Sequence, residues 1–329
     1  TRKESSAASD VYKRQMRAMA ARSSLARRFV GGADVEAAVQ TALRLRDAHG
    51  IRASLFYLGE YVADPAAIEH NVGQAIGACD ALGRAGLDVH VSVDPTAIGY
   101  MDSDTRGEDN ARRIAAAVSR AAGGGQDWMV LDMEDAGIRD RTCALHRGLL
   151  EAGLPAGLTL QARRRRTPED LTWAIRQRTS LRLVKGAFPE RALDHAGRAR
   201  IDQAYLDAAS IMLSREARDA GFRPVFGTHD DRLAGAIMTL ARERGWPPDG
   251  FEFEMLYGVR PDWQLALRGL GYNVRVYLPF GGDWWPYAIR RVGENPRNAW
   301  LLARSLTSDG HYFSSVSYTH LTLPTTPYV

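Results

Sequence analysis

The chain alternates short apolar runs with segments of helical periodicity, and it does so eight times without an intervening linker. Strands that alternate with helices in this way predict an α/β protein with a parallel sheet. Eight such units in about 270 residues favour a (β/α)8 barrel, and an open doubly wound sheet is the alternative. The runs predicted as strands are residues 54–58, 87–93, 128–131, 157–160, 181–184, 224–226, 251–256 and 274–278.

Polar or functional side chains stand at the ends of nearly all these runs, and this feature favours the barrel over the open sheet. In a barrel the strand ends converge on one mouth, where active sites lie, whereas in an open sheet most of them are too far apart to cooperate. The residues concerned are Glu60, Asp94, Asp132, Gln161, Lys185, residues 228–230, Tyr257 and Tyr277.

Helix signals place an extra helix before the first strand and define a single folded domain. Asp34 is a good N-cap for a helix that Gly50 ends, and Thr167 is predicted to cap a helix with Pro168 in its first turn. Residues 1–15 and 314–329 are interpreted as non-native or disordered tails, because they are aperiodic and resemble translated vector sequence. The domain is therefore expected to span residues 16–313.

Composition excludes several classes of function. The net charge is only +4, and no basic run alternates with aromatic residues, so nucleic acid is not an expected partner. Cys79 and Cys143 are the only cysteines and have no metal-ligand spacing, so we expect no metal site and a reducing cytoplasmic location. No apolar run approaches the roughly 20 residues of a membrane span.

Two adjacent arginines near the C-terminus are the best clue to a substrate. Arg290 and Arg291 lie in a predicted helix after the last strand and a Gly-rich turn, and Glu294 follows one helical turn later. Because adjacent guanidiniums repel each other, a fold that places them together usually has an anion for them, and a small carboxylate fits best.

The other charged strand ends allow several interpretations. Arg182 and Lys185 are an odd number of residues apart, so they point to opposite faces unless the strand breaks at Gly186. Either cation could enter the mouth or pair with an acid such as Asp132, and Lys185 could also form a Schiff base. The acidic run 132–135 could orient a cation, bind a metal, act as a base or cap the next helix, while residues 226–231 suit a phosphate or an aspartate cap.

Taken together, these motifs resemble the proline dehydrogenase family, whose members are FAD-dependent barrel enzymes that oxidise L-proline to Δ1-pyrroline-5-carboxylate. The resemblance covers about residues 26–308. It depends on several separate motifs in the same order, at residues 58–60, 131–135, 160–162, 166–170, 183–187, 227–230, 254–258 and 277–295.

The resemblance implies roles for the substrate side of the mouth. Arg290 and Arg291 would hold the proline carboxylate, and Tyr277 would pack on the substrate or hydrogen-bond near it. Asp132 would orient the arginine pair or the ring-nitrogen side, and Glu60 would pair with Arg290 as part of a gate.

The resemblance also implies a cofactor and partners. Arg182 would lie by the flavin N5, where hydride arrives from C5 of proline, and Gln161 would touch the isoalloxazine edge. A monofunctional enzyme that feeds quinones at the inner face of the membrane is implied, with a pyrroline-5-carboxylate dehydrogenase taking the product. The remaining FAD-binding residues would be Met133, Lys185, Gly186, Ala187, Thr228, His229 and Glu294.

The chain departs from the family pattern at two positions. Asp94 stands where the family usually has a lysine at the end of the second strand, and Phe188 replaces a usual tyrosine. Asp94 could weaken proline binding, read a donor on a substituted proline such as hydroxyproline, or face solvent. Two other classes of function stay open, a Schiff-base aldolase that uses Lys185 and a carboxylate-binding barrel without turnover.

Overall fold

A closed barrel of parallel strands forms the centre of the molecule. The computed structural model describes residues 28–59, 61–186 and 193–282 together with residues 284 and 287. Each strand pairs in parallel with the next, and β8 pairs with β1 from Arg52↔Arg275 to Tyr57↔Phe280, so the predicted barrel is confirmed and the open sheet is wrong. The strands are β1 Arg52–Tyr57, β2 His90–Val93, β3 Trp128–Leu131, β4 Ala156–Gln161, β5 Ser180–Val184, β6 Arg223–Gly227, β7 Glu252–Leu256 and β8 Asn273–Phe280.

Helices follow the strands and cover the outside of the barrel. The described helices are α1 Val35–His49, α2 Pro65–Arg84, α3 Asp104–Ala121, α4 Ala136–Glu151, α5 Thr167–Ala174, α6 Arg198–Met212, α7 Arg215–Asp219, α8 Asp231–Glu243 and α9 Pro261–Gly269. Among the described residues, no helix is long and apolar enough to cross a bilayer. The predicted C-terminal substrate-binding helix lies outside the described residues.

The extra N-terminal helix α1 is confirmed, and its ends are the ones that its sequence signals predict. The Ala37 N–H donates to Asp34 Oδ1 (2.8 Å), and Gly50 has a φ of 63°, a left-handed conformation that ends helices and favours glycine. The start of α5 was predicted correctly, but the expected capping role of Thr167 is wrong. The Thr167 hydroxyl is buried against the end of β4 and donates to the Gln161 carbonyl oxygen (2.6 Å) instead.

The interior of the barrel is polar at both ends, whereas apolar side chains fill the layer between strands and helices. From β5, Arg182 reaches side chains on or just after β2, β3, β4 and β7, which places its guanidinium inside the barrel. Arg275 on β8 lies at the opposite end, where Glu252, Asp88 and the Ala53 carbonyl oxygen bind it. The barrel thus offers buried charges that can support a site at the carboxyl ends of its strands.

Candidate active site

The carboxyl ends of the strands surround a cavity of about 440 Å³. This convergence of strand ends was predicted, and it places the cavity at the face of a barrel where active sites lie. Of the predicted strand-end residues, Tyr257 is buried but does not line the cavity. Those that line it include Asp94, Asp132, Gln161, Lys185, His229 and Tyr277.

Arg182 forms the charged floor of the cavity. Its Nη1 donates to Glu254 Oε1 (2.5 Å), its Nε donates to Thr159 Oγ1 (3.1 Å), and its Nη2 donates to Ser92 Oγ (3.1 Å). A further bond joins Nη2 to Asp132 Oδ1. Burial opposes the charge of Arg182, but the carboxylates of Asp132 and Glu254 outweigh that effect and raise its pKa above the ordinary value. Arg182 is therefore a permanent cation in a fixed orientation.

Asp132 connects this cation to Tyr277. The Tyr277 hydroxyl donates to Asp132 Oδ2 (2.8 Å), and the Thr159 hydroxyl donates to Asp132 Oδ1 (3.0 Å). The Arg182 guanidinium carbon lies 5.1 Å from the centre of the Tyr277 ring, within the range of a cation–π contact. Burial first, and then the charges of Asp132 and Asp94, raise the pKa of Tyr277 well above its ordinary value, so this phenol stays protonated.

Asp94 lies inside the site, so the solvent-facing alternative is wrong. The residue is 7% exposed and lines the cavity directly after β2. The chain turns there through a short 3-10 helix, Pro95–Ala97. Thr96 in this turn donates from its backbone N–H and its hydroxyl to the buried carboxylate of Glu134 (3.0 and 2.5 Å), and these bonds hold the turn against the barrel. A carboxylate thus occupies the position where a cation was expected.

Gln161 and Gly186 form an edge of the cavity that can accept a ligand. Gln161 Nε2 donates to the carbonyl oxygens of Met133 (2.9 Å) and Glu134 (3.0 Å). Its Oε1 is buried, and the described part of the chain offers it no donor. Gly186 has a φ of 101°, and a Cβ there would lie 2.9 Å from that oxygen and 2.7 Å from the Arg163 Cδ, so only glycine fits. An N–H group of a ligand would satisfy the Gln161 oxygen.

Lys185 lies just past the end of β5, so the alternation of side chains between the two faces of a strand does not apply to it. Like Arg182, it therefore reaches the mouth of the barrel. Its Nζ lies 2.5 Å from Asp202 Oδ1 and 3.3 Å from Asp230 Oδ2. The expectation that one of the β5 cations pairs with Asp132 is confirmed for Arg182.

The loop after β6 leads into α8 and carries the predicted aspartate cap. Asp230 Oδ1 accepts from the Arg232 N–H (3.1 Å), and Thr228 Oγ1 accepts from the Asp230 N–H (3.1 Å). His229 Nε2 accepts from the Leu256 N–H (2.9 Å) and ties this loop to β7. The loop borders a shallow depression that suits an anionic group at a helix N-terminus. Its cations are Lys185, Arg198, Arg232 and Arg260.

Five predicted site residues lie outside the described residues: Glu60, Ala187, Arg290, Arg291 and Glu294. Their roles stay predictions. In the described part of the chain, no three His, Cys, Asp or Glu side chains are grouped so as to hold a metal ion. The predicted cap by Asp135 is present, since its Oδ1 accepts from the Gly137 N–H (2.8 Å) at the start of α4.

The sequence reasoning missed Glu254, Ser92 and Thr159, which together hold Arg182. A signal for Glu254 was present, because Glu252 and Glu254 are two residues apart in an otherwise apolar strand. Side chains at that spacing share one face, and paired charges on one face of a buried strand point to the barrel interior.

Comparison with known proteins shows the family. The family model for proline dehydrogenase matches residues 38–304. Proline dehydrogenase of Deinococcus radiodurans is 36% identical over 289 residues, which cover 86% of this chain and 90% of that protein. Proline dehydrogenase 1 of Bacillus subtilis strain 168 is 32% identical over 281 residues, covering 85% of this chain and 90% of the relative.

Solved structures share the fold. Proline utilization A (PutA) from Bdellovibrio bacteriovorus, inactivated by N-propargylglycine, superimposes with a TM-score of 0.70 at 21% identity and covers 87% of this chain. PutA from Corynebacterium freiburgense gives a TM-score of 0.68 at 21% identity and covers 93%. The chain spans only 33% and 34% of those longer proteins. With a family model that spans most of its length and relatives matched nearly end to end, this chain belongs to the proline dehydrogenase family.

Proposed function

We propose that this chain oxidises L-proline to Δ1-pyrroline-5-carboxylate, the first step of proline catabolism, with FAD as its electron carrier. The observation that carries the proposal is the cluster of Arg182, Asp132 and Tyr277 at the base of the strand-end cavity. A fixed cation, a carboxylate and a protonated phenol meet there at the wall of the cavity. The relatives named proline dehydrogenase support the choice of substrate.

The residues of the cavity fit a flavin. Bound FAD supplies the acceptor for the two electrons that leave the C–N unit of proline. Gln161 Oε1, a buried acceptor with no donor in the described part of the chain, would receive an N–H of the ring system. Gly186 leaves room for a planar ring system beside it. The cations around Thr228 and His229 would hold the phosphates, together with the helix N-terminus that follows.

Each group at the base of the cavity then has a separate task. Arg182 is a fixed cation, and beside a bound flavin it would favour the anionic reduced form, because its charge is already oriented before reaction. Asp132 holds both Arg182 and the Tyr277 hydroxyl, so it orients the cation and the phenol together. Tyr277 offers a flat face for the substrate ring.

The residues outside the described part complete the site in this proposal. Arg290 and Arg291 would bind the proline carboxylate, Glu60 would pair with Arg290 as a gate, and Ala187 and Glu294 would hold FAD. The electrons would pass to a quinone, with the enzyme in the cytoplasm at the inner face of the membrane. A pyrroline-5-carboxylate dehydrogenase would consume the unstable product.

A second candidate is a dehydrogenase of a substituted proline. Asp94 favours it, because a buried carboxylate in the cavity accepts a hydrogen bond from a substrate hydroxyl but repels a substrate carboxylate. The aldolase alternative is not favoured. The Lys185 Nζ is held in ion pairs by Asp202 (2.5 Å) and Asp230 (3.3 Å), so it is not free to attack a carbonyl carbon as a Schiff-base lysine must.

The test uses the purified protein and its released cofactor. We expect a yellow protein that releases FAD on denaturation and reduces a dye acceptor when L-proline is added. Release of FMN, or no flavin after reconstitution, would contradict the proposal. Parallel titration with 4-hydroxyproline separates the two dehydrogenase functions, and borohydride trapping of substrate on Lys185 would support the aldolase instead. A colourless protein that binds proline without turnover would indicate a binding function.

A further inference from the structure

Two arginine clusters are stacked inside the barrel, and each arginine is bound by two carboxylates. At the end of the barrel formed by the amino ends of the strands, Arg275 binds Glu252 (2.6 Å) and Asp88 (2.8 Å). At the cavity end, Arg182 binds Asp132 and Glu254. Glu252 and Glu254 are neighbours on the inner face of β7, so one strand supplies a counter-charge to both clusters. Only the second cluster borders the cavity.

Arg182 has one donor left for a ligand. A guanidinium carries five N–H groups. Thr159 takes the one on Nε, Ser92 and Asp132 take the two on Nη2, and Glu254 takes one of the two on Nη1. No described residue takes the second Nη1 N–H. The nitrogen that Glu254 orients is therefore the nitrogen that can still donate to a molecule in the cavity.

Glu254 also sets how much positive charge the cavity receives. Its side chain is 3% exposed and its Oε1 lies 2.5 Å from Arg182 Nη1, so water screens this pair very little. Burial raises the pKa of Glu254 above its usual value, while Arg182 and Arg275 oppose that rise. Asp132 is also bound by Tyr277 and Thr159, which spread its charge over further donors. Glu254 is thus the second, more deeply buried counter-charge of Arg182.

We propose that Glu254 is a positioning residue that orients Arg182 and offsets part of the positive charge which Arg182 presents to a flavin in the cavity. The inference rests on the proposed function, because it assumes that the cavity holds a flavin. A positive charge beside the ring stabilises the reduced anionic flavin and raises its reduction potential. A carboxylate in contact with that charge lowers the potential again. Glu254 is then a residue that keeps the bound flavin less oxidising.

The experiment compares Glu254→Gln with Glu252→Gln in the flavin-bound protein. Glutamine keeps an oxygen that accepts from Arg182 but removes the charge. We expect Glu254→Gln to shift the two-electron reduction equilibrium at least tenfold toward reduced flavin, which is about 30 mV, when measured by dye equilibration. Glu252→Gln removes the matching charge from the Arg275 cluster at the amino ends of the strands. Because that cluster does not border the cavity, this variant should shift the equilibrium less than twofold. Equal shifts in both variants, or no shift in Glu254→Gln, would overturn the inference.

A second variant keeps the inference testable if Glu254→Gln fails to fold. Glu254→Asp keeps the buried charge balance but draws the carboxylate away from Arg182 by one methylene, so it should shift the equilibrium at least threefold in the same direction. A value within twofold of the parent protein would refute the inference. If the parent protein binds no flavin, the proposed function fails first. If the parent is a flavoprotein that oxidises proline and its potential is insensitive to Glu254, only the present inference fails.

Discussion

Replacing Asp94 with asparagine should tighten the binding of L-proline. Asp94 is 7% exposed and lines the cavity at the end of β2. In the proposed reaction the substrate brings a carboxylate into the same cavity, so two negative charges repel each other across it. Asparagine has nearly the same size and removes one of the two charges.

The dimensions of the cavity bound the effect. A cavity of about 440 Å³ is roughly 9 Å across, and two unit charges about 8 Å apart at an effective dielectric constant of about 20 repel by about 2 kcal/mol. Allowing up to half of this for neighbouring cations leaves about 1–2 kcal/mol, so the KM for L-proline should fall roughly 5- to 30-fold. Asp94→Lys adds an attractive charge and should lower the KM at least as far. The kcat should change little, because the lost repulsion acts on binding.

Steady-state dye reduction over a range of L-proline concentrations measures this effect. Asp109→Asn is the matched control, because Asp109 is exposed on α3 and its loss changes the net charge equally. A KM that stays within twofold in Asp94→Asn, or that rises, would refute the like-charge reasoning. A selective loss of 4-hydroxyproline turnover would show that Asp94 reads a substrate hydroxyl. Complete loss of proline turnover in Asp94→Lys with FAD still bound would make Asp94 a catalytic base.

Three further predictions test other parts of the molecule. Arg290→Met or Arg291→Met should lower kcat/KM for proline about 10- to 150-fold with unchanged flavin content, since a charged hydrogen bond contributes roughly 1.5–3 kcal/mol; loss of flavin would instead assign the pair to the cofactor. Arg275→Met should lower the free energy of unfolding in urea by about 1–3 kcal/mol, because Glu252 and the half-buried Asp88 lose their nearer cation and keep only Arg52, 3.6 Å from each; a smaller loss would contradict this. Burial lowers the pKa of His146 from 6.5 to about 4. The unfolded chain therefore binds the proton first, and stability present above pH 6.5 is lost as the pH falls toward 4. His146→Gln should reduce the dependence of the free energy of unfolding on pH between 6.5 and 4. If unfolding curves measured at several pH values give the variant the same pH dependence as the parent protein, the reasoning is wrong.

Local hydrophobic patterns in the sequence were sufficient to predict the barrel architecture. The apolar runs that became β1 to β8 were visible because strands buried on both faces are short and apolar, and helices between them repeat with another period. Only the boundaries moved. The second run was predicted from residue 87, but β2 begins at His90, because Leu87 N–H still bonds to the Leu82 carbonyl oxygen at the end of α2. The capping residues of α1 were equally readable, since a cap acts within one helical turn.

Much of the candidate site was also readable, because barrel topology brings strand ends together whatever their separation along the chain. Asp132, Gln161 and Tyr277 were predicted as strand-end residues, and Arg182 as a strand cation that could enter the mouth; all four line one cavity. The orientation of Asp94 was not readable. An aspartate before a proline commonly faces solvent in a turn. The bonds from Thr96 to Glu134 join the turn after β2 to the loop after β3, and such contacts form only when the barrel closes.

The sequence by itself determined the order of strands and helices, the barrel class, the family resemblance and the set of polar groups at the strand ends. Only the tertiary structure decided which of these groups bind one another. Arg182 and Glu254 are 72 residues apart in the chain and meet across the barrel, and Thr167 bonds to a strand end rather than capping its helix. The physical reason is that hydrophobic periodicity and capping act over a few residues, whereas the partner of a buried charge depends on barrel closure and register.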